Sequence, residues 1–193
     1  MNLYNACKEP HFIEAYKKHF AGRTPKRILE IGVQNGGSLK IWRDFFPEAE
    51  IVGVDTLEKC KEHEGDRIKV VIGDQASVKF LETLGNFDII IDDGGHYMTQ
   101  QQVSMNTLLA NQLNDGGLYV IEDLHTSYWE QFLDIRKTTV SALKDLVDDL
   151  HQYADESPRC ELKQGLKNKY NIKSITFYKG IVFIEKDVSE PRD

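Results

Sequence analysis

No stretch of the 193-residue sequence runs apolar for the ~18 residues that a membrane helix needs. The opening residues, Met1-Asn2-Leu3-Tyr4-Asn5, lack the charged start and apolar run of a secretory leader. Cysteine is scarce. Cys7, Cys60 and Cys160 are odd in number and far apart, and they form neither a CxxC pair nor a Cys/His metal spacing. That excludes a disulfide scaffold and points to a reducing compartment, so a cytoplasmic protein is expected. Basic residues are the minority. With 24 Lys+Arg against 31 Asp+Glu, the net charge of −7 argues against broad binding to nucleic acid or to an anionic membrane surface. Internal repeats and low-complexity tracts are absent.

What is present is an ordinary globular composition, 40% hydrophobic and 28% charged, in a length suited to a single domain over residues 1–193. Residues 1–26 read as an N-terminal appendage holding an amphipathic helix at 11–21, through Phe12, Ile13, Tyr16 and Phe20. Short, β-branched, nearly continuous apolar runs follow at 28–33, 51–54, 68–72, 87–91 and 118–121, as expected of strands covered on both faces. Helical patterns alternate with them at 38–46, 76–84 and 97–113. Ser38 is the expected N-cap of the first, and Leu113 is expected on the apolar face of the third. A strong amphipathic helix is expected at 139–153, then an irregular polar insertion at 154–172. A hairpin closes the chain, with strands at 175–178 and 181–185 around Lys179-Gly180. The fold class is therefore α/β: a Rossmann-like doubly wound sheet of five parallel strands plus a C-terminal antiparallel hairpin.

The first strand runs into Glu30-Ile31-Gly32-Val33-Gln34-Asn35-Gly36-Gly37-Ser38, a loop whose glycines permit close approach of a ligand beside a helix N-terminus. The Gly-x-x-x-Gly-Gly spacing differs from the Gly-x-Gly-x-x-Gly of a pyrophosphate loop, and Glu30 suits a cationic ligand such as S-adenosylmethionine. Asp55, 23 positions beyond Gly32, is placed to accept hydrogen bonds from a ribose diol, and Asp74 beside Gln75 is placed to flank an adenine. Two acidic pairs, Asp92-Asp93 and Glu122-Asp123, end the fourth and fifth strands, at the edge where open α/β sheets bind ligands. Carboxylates brought to 4 Å repel by about 4 kcal/mol per pair at an effective dielectric of about 20. A hard divalent cation, Mg²⁺ first, would relieve that; helix capping by the same acids is the alternative. His96, three residues after Asp93, is a candidate general base or a simple cap. His125 and residues 126–129 either line an acceptor pocket or pack a loop.

Taken together, Glu30-Ile31-Gly32-Val33, Gly53-Val54-Asp55, Asp92-Asp93-Gly94-Gly95-His96 and the run from Gly117 to Trp129 resemble the class I S-adenosylmethionine-dependent methyltransferases. More narrowly they resemble the metal-dependent sugar O-methyltransferases of macrolide and glycoside biosynthesis, over roughly residues 27–130. The resemblance implies Mg²⁺ or another divalent cation on Asp93, Glu122 and Asp123, and His96 as the catalytic base. The expected cofactor contacts are Glu30, Gly32, Gly36, Ser38, Asp55, Asp74, Gln75 and Asp92. The expected acceptor is a hydroxyl of a sugar or glycosylated small molecule. Gly95 departs from the serine usual at its position, and the chain looks short beside relatives with a long N-terminal region. Residues 11–21 and 154–172 are candidates for covering the site or pairing subunits in a homo-oligomer. Two rivals remain: a nicotinamide-dependent Rossmann oxidoreductase, and a non-catalytic methyltransferase-like binding protein.

Overall fold

The computed structural model describes residues 8–151 and 169–188. In chain order the elements are α1 (Pro10–Phe20), β1 (Arg27–Ile31), α2 (Gly37–Phe45), β2 (Glu50–Asp55), β3 (Ile68–Ile72), α3 (Val78–Leu81), β4 (Phe87–Asp92), α4 (Met98–Asn111), β5 (Leu113–Ile121), α5 (Thr139–His151), β6 (Ile172–Tyr178) and β7 (Ile181–Lys186). Short 3₁₀ turns occupy Glu58–His63, Leu124–Tyr128 and Glu130–Phe132.

The strands form one seven-stranded sheet in the order β3-β2-β1-β4-β5-β7-β6. The first five in that order are parallel, and β7 lies antiparallel between β5 and β6. The five parallel strands and the closing hairpin are thus as expected. The order reverses between β1 and β4, and a reversal opens a crevice at the carboxyl ends of the strands.

Side chains alternate between the two faces with period two. Ile28, Ile51, Ile89, Leu118 and Val120 meet Phe12, Tyr16, Phe20 and Trp42 on the face covered by α1 and α2. Leu29, Val52, Ile90, Tyr119 and Ile121 meet Met105, Leu108, Leu143 and Leu146 on the face covered by α4 and α5. Full burial of a side chain such as Phe20 contributes about 1.5–3 kcal/mol. The same parity sorts the acids. Glu30 and Glu122, two residues after Ile28 and Val120, fall on the α1 face; Asp92, two after Ile90, falls on the α4 face.

Several boundaries differ from expectation. β1 stops at Ile31 instead of running to Val33, because Gly32 takes φ +94° and turns the chain. α3 is one turn, not the nine residues of 76–84; after Leu81 the hydrogen bonds become i→i+3, at Thr83 and Leu84, and Gly85 at φ +78° ends the segment. Leu113 leaves the helix to begin β5, which pairs Phe87 with Leu113 before a register shift. Ser38 is not the N-cap of α2; Gly36 holds that position, in a left-handed conformation. The insertion expected at 154–172 lies almost wholly outside the described residues, as do residues 1–7 of the N-terminal appendage and Cys160. No helix among the described residues is long and apolar enough to cross a membrane.

Candidate active site

The carboxyl ends of β1, β2, β4 and β5 surround a cleft of about 480 Å³, within the size range of small-molecule sites. Gly32, Gln34, Asn35 and Ser38 line it from the glycine loop, Asp55 and Leu57 from the end of β2, and Gln75 from beyond β3. Asp93, His96, Glu122 and Asp123 line it from the ends of β4 and β5, and Lys8 and Phe12 from the α1 side.

Asp55 braces the loop. Its Oδ2 accepts from the backbone N–H of Val33 (3.0 Å) and Gln34 (3.2 Å), and its Oδ1 from that of Leu57 (3.0 Å). Burial opposes its ionisation, but these N–H donors outweigh burial and hold its pKa below the ordinary value. Gly32 is required on two counts: φ is +94°, and a Cβ would lie 2.1 Å from the Asp93 carbonyl oxygen. The loop therefore presses against the β4 end and leaves its outer side to the cleft.

Four residues expected to touch the cofactor do not line the cleft. Glu30 is fully buried on the α1 face, where the Ser38 hydroxyl donates to its Oε2 at 2.7 Å; burial raises its pKa against the pull of Lys8. Asp92 is buried on the α4 face, taking hydrogen bonds from Gln75 Nε2 (3.1 Å), Tyr119 (3.3 Å) and Ser104. Burial pushes its carboxyl up to about 6 despite the Ser104 and Gln75 bonds. Gly36 faces the His63 ring, and exposed Asp74 accepts from the Ala76 N–H at 2.8 Å. Strand parity removes Glu30 and Asp92 from the rim, leaving the residues just past each strand end to form it. Gln75 is the bridge between the layers: it lines the cleft, donates to Asp92, and accepts from the Gly95 N–H at 2.8 Å.

Asp93, His96 and Asp123 each bring one ligand atom to within 4.8 Å of the others. His96 Nε2 stands 3.6 Å from Asp123 Oδ2, while Nδ1 is buried without a hydrogen-bond partner among the described residues. His96 does not open α4, which starts at Met98. His96 and Asp123 take φ of +60° and +54°, a backbone region costly for residues other than glycine. Burial first, and then the Asp93 charge, raises the Asp123 pKa; His96 and His125 oppose this. The two carboxylates suit a hard divalent cation such as Mg²⁺, and the imidazole beside them is a softer donor better suited to accepting a proton. Glu122, expected as the third ligand, differs: its Oε1 accepts from Lys8 Nζ (2.6 Å) and the Tyr16 hydroxyl (2.6 Å). Burial raises its pKa well above the carboxylate range, against Lys8.

Sequence reasoning missed Lys8 and Tyr16, which come from more than a hundred residues before Glu122 in the chain. One signal was present: a tyrosine on the otherwise apolar face of the first helix carries a hydroxyl that must find a partner when buried.

The strand order and the ligand edge are those of the class I methyltransferase fold. The chain is a homologue of sugar O-methyltransferases. An 8-demethyl-8-alpha-L-rhamnosyl tetracenomycin-C 2'-O-methyltransferase from Streptomyces olivaceus is 36% identical over 192 residues, matching 91% of this chain and 50% of its own length. The mycinamicin VI 2''-O-methyltransferase of Micromonospora griseorubida is 35% identical over 195 residues, matching 91% of this chain and 48% of its own length. The MycE methyltransferase of the mycinamycin biosynthetic pathway, solved in complex with Mg, SAH and mycinamycin VI, superposes with a TM-score of 0.78 at 34% identity. That match covers 92% of this chain and 49% of MycE. The chain thus spans about half the length of the curated relatives it matches. No protein-family model matches it.

Proposed function

We propose that this chain catalyses S-adenosylmethionine-dependent, divalent-cation-assisted O-methyl transfer to a hydroxyl of a sugar or glycosylated small molecule. The observation that carries the proposal is the meeting of Asp93, His96 and Asp123 at the rim of the glycine-loop cleft. The homology to named sugar O-methyltransferases supports it.

In this reading Asp55, already ionised and fixed by three backbone donors, accepts from the cofactor ribose. Gly32 lets the loop backbone close on the cofactor, and Gln75 borders its base. Asp93 and Asp123 would hold the cation, with Glu122 contributing the oxygen that Lys8 and Tyr16 leave free. When bound, the cation supplies Lewis-acid chemistry: it orients neighbouring acceptor oxygens and lowers a hydroxyl pKa. His96 takes the proton at Nε2 as the methyl group moves, and Asp123 stabilises the imidazolium so formed. We read residues 1–193 as one domain acting in the cytoplasm, in keeping with buried, unpaired Cys60, and the negative net charge as unsuited to nucleic-acid substrates.

The test is transfer from methyl-labelled S-adenosylmethionine to a panel of rhamnosyl and other deoxysugar glycosides. Labelled glycoside is expected, lost on chelation and restored by Mg²⁺. Cofactor binding without transfer to any glycoside would favour the binding-protein reading, and tight nicotinamide-dinucleotide binding would favour the oxidoreductase. Full activity after exhaustive chelation would remove the cation from the mechanism.

A further inference from the structure

Three carboxylates from three adjacent strands converge on one ammonium. Lys8 Nζ lies 2.5 Å from Asp93 Oδ2, 2.6 Å from Glu122 Oε1 and 3.5 Å from Glu30 Oε1. Its side chain is 3% exposed. Burying an ammonium costs several kcal/mol unless it is paired and hydrogen-bonded. Two of its N–H donors are taken by Asp93 and Glu122, while Glu30 Oε1 stands at ion-pair distance without a hydrogen bond among the described residues.

The ammonium is also held from its own side. Lys8 stands two residues before the start of α1, and α1 is clamped to the sheet by Phe12, Ile13, Tyr16 and Phe20, each at most 2% exposed. The Tyr16 hydroxyl donates to the same Glu122 oxygen that Lys8 holds. Glu122 is therefore oriented by two donors from the α1 region, and Asp93 by one.

We propose that Lys8 is a positioning residue of the acidic rim. It holds Asp93 Oδ2 and Glu122 Oε1 from the α1 side of the cleft, which leaves the other oxygen of each carboxyl for a divalent cation shared with Asp123. The charge count permits this. Glu30, Asp93 and Glu122 bring three carboxyl groups to one ammonium and Asp123 adds a fourth beside Asp93, so a single ammonium does not neutralise the cluster. The alternative role, an internal cation that merely competes with a divalent ion, predicts the opposite sign. The inference rests on the cation-assisted reading above and concerns a residue outside its expected ligands.

The test measures Mn²⁺ affinity by electron paramagnetic resonance and S-adenosylhomocysteine affinity by calorimetry, in wild type and Lys8→Met. Folding is checked by circular dichroism. Positioning predicts Mn²⁺ binding weaker by about 10- to 100-fold, the usual effect of losing a group that orients a metal ligand. S-adenosylhomocysteine affinity should stay near wild type. In turnover assays the Mg²⁺ requirement should rise while kcat at saturating Mg²⁺ recovers. Unchanged or tighter Mn²⁺ binding in folded Lys8→Met overturns the proposal. Should Lys8→Met fail to fold, the double variant Lys8→Met/Glu30→Gln removes one buried charge of each sign. Compared with Glu30→Gln alone, weaker Mn²⁺ binding supports the proposal and equal binding overturns it. Wild-type protein that binds no Mn²⁺ would instead remove the cation from the proposed function, and this inference with it.

Discussion

His96 occupies a left-handed backbone position three residues beyond Asp93, with its Nε2 toward Asp123 and its ring edge-on to Phe132 at 6.1 Å. Strain of about 1–3 kcal/mol at such a residue persists only where the surroundings enforce it. If His96 is the base, His96→Ala lowers turnover by about 10²–10⁴-fold, with a deficit that shrinks as pH rises and hydroxide replaces the imidazole. Mn²⁺ affinity should then be unchanged; a parallel loss of Mn²⁺ binding would make His96 a ligand instead. At the opposite end of the sheet, Asp88 accepts from the backbone N–H of Lys26 (2.7 Å) and Arg27 (3.1 Å) and from Asn114 Nδ2 (2.8 Å). Burial opposes its charge, but the Asn114 bond, the two backbone donors and the Arg27 guanidinium outweigh it, so its pKa lies below the ordinary value. Its stabilisation is therefore complete above the unfolded aspartate pKa of about 3.9 and fades as pH falls through the lower folded value. Asp88→Ala should cost about 1–3 kcal/mol at neutral pH, with the gap to wild type narrowing in denaturant titrations as pH falls through the lowered folded value.

The glycine loop and α1 decide the site at the scale of elements. β1 ends because Gly32 turns, and that turn brings its backbone against the β4 end at Asp93. Gly32→Ala adds a methyl group 2.1 Å from the Asp93 carbonyl oxygen, at a φ that alanine resists. The backbone penalty alone is about 1–3 kcal/mol, before the clash forces β1 and β4 apart. A melting temperature within a degree of wild type would show that the loop has slack the structure does not suggest. α1 was expected to cover the site or pair subunits. In the structure Phe12 lines the cleft and Tyr16 reaches Glu122. The α1 region, with Tyr16 on the helix and Lys8 just before it, links the start of the described chain to the end of β5 at Glu122.

For the molecule as a whole, the cleft joins the loop after β1 to the ends of β2, β4 and β5, so a ligand there ties together strands that otherwise meet only through the sheet. Ligand that binds only the folded state at 100 times its Kd adds about 2.7 kcal/mol of stability. For a chain of this size each kcal/mol raises the melting temperature by about 2–4 °C. Saturating S-adenosylhomocysteine should therefore raise it by several degrees in a thermal scan, and NAD should not. No shift with S-adenosylhomocysteine would refute the cofactor assignment.

Local pattern was enough to place the strands, the hairpin around Lys179-Gly180 and the two acid pairs, because period-two alternation and glycine turns depend on near neighbours. It was also enough to bring the ends of β4 and β5 to one edge, since parallel strands in an α/β sheet present their carboxyl ends together. Which acids face the cleft was decided by strand parity combined with helix placement. Glu30 and Asp92 read as rim residues by position, yet packing put them on opposite buried faces. The partners of Glu122 lay beyond any sequence window, because Lys8 and Tyr16 reach it only after α1 has folded across the sheet. A buried carboxylate needs its counter-charge close in space, and the chain's topology alone determines which lysine stands there.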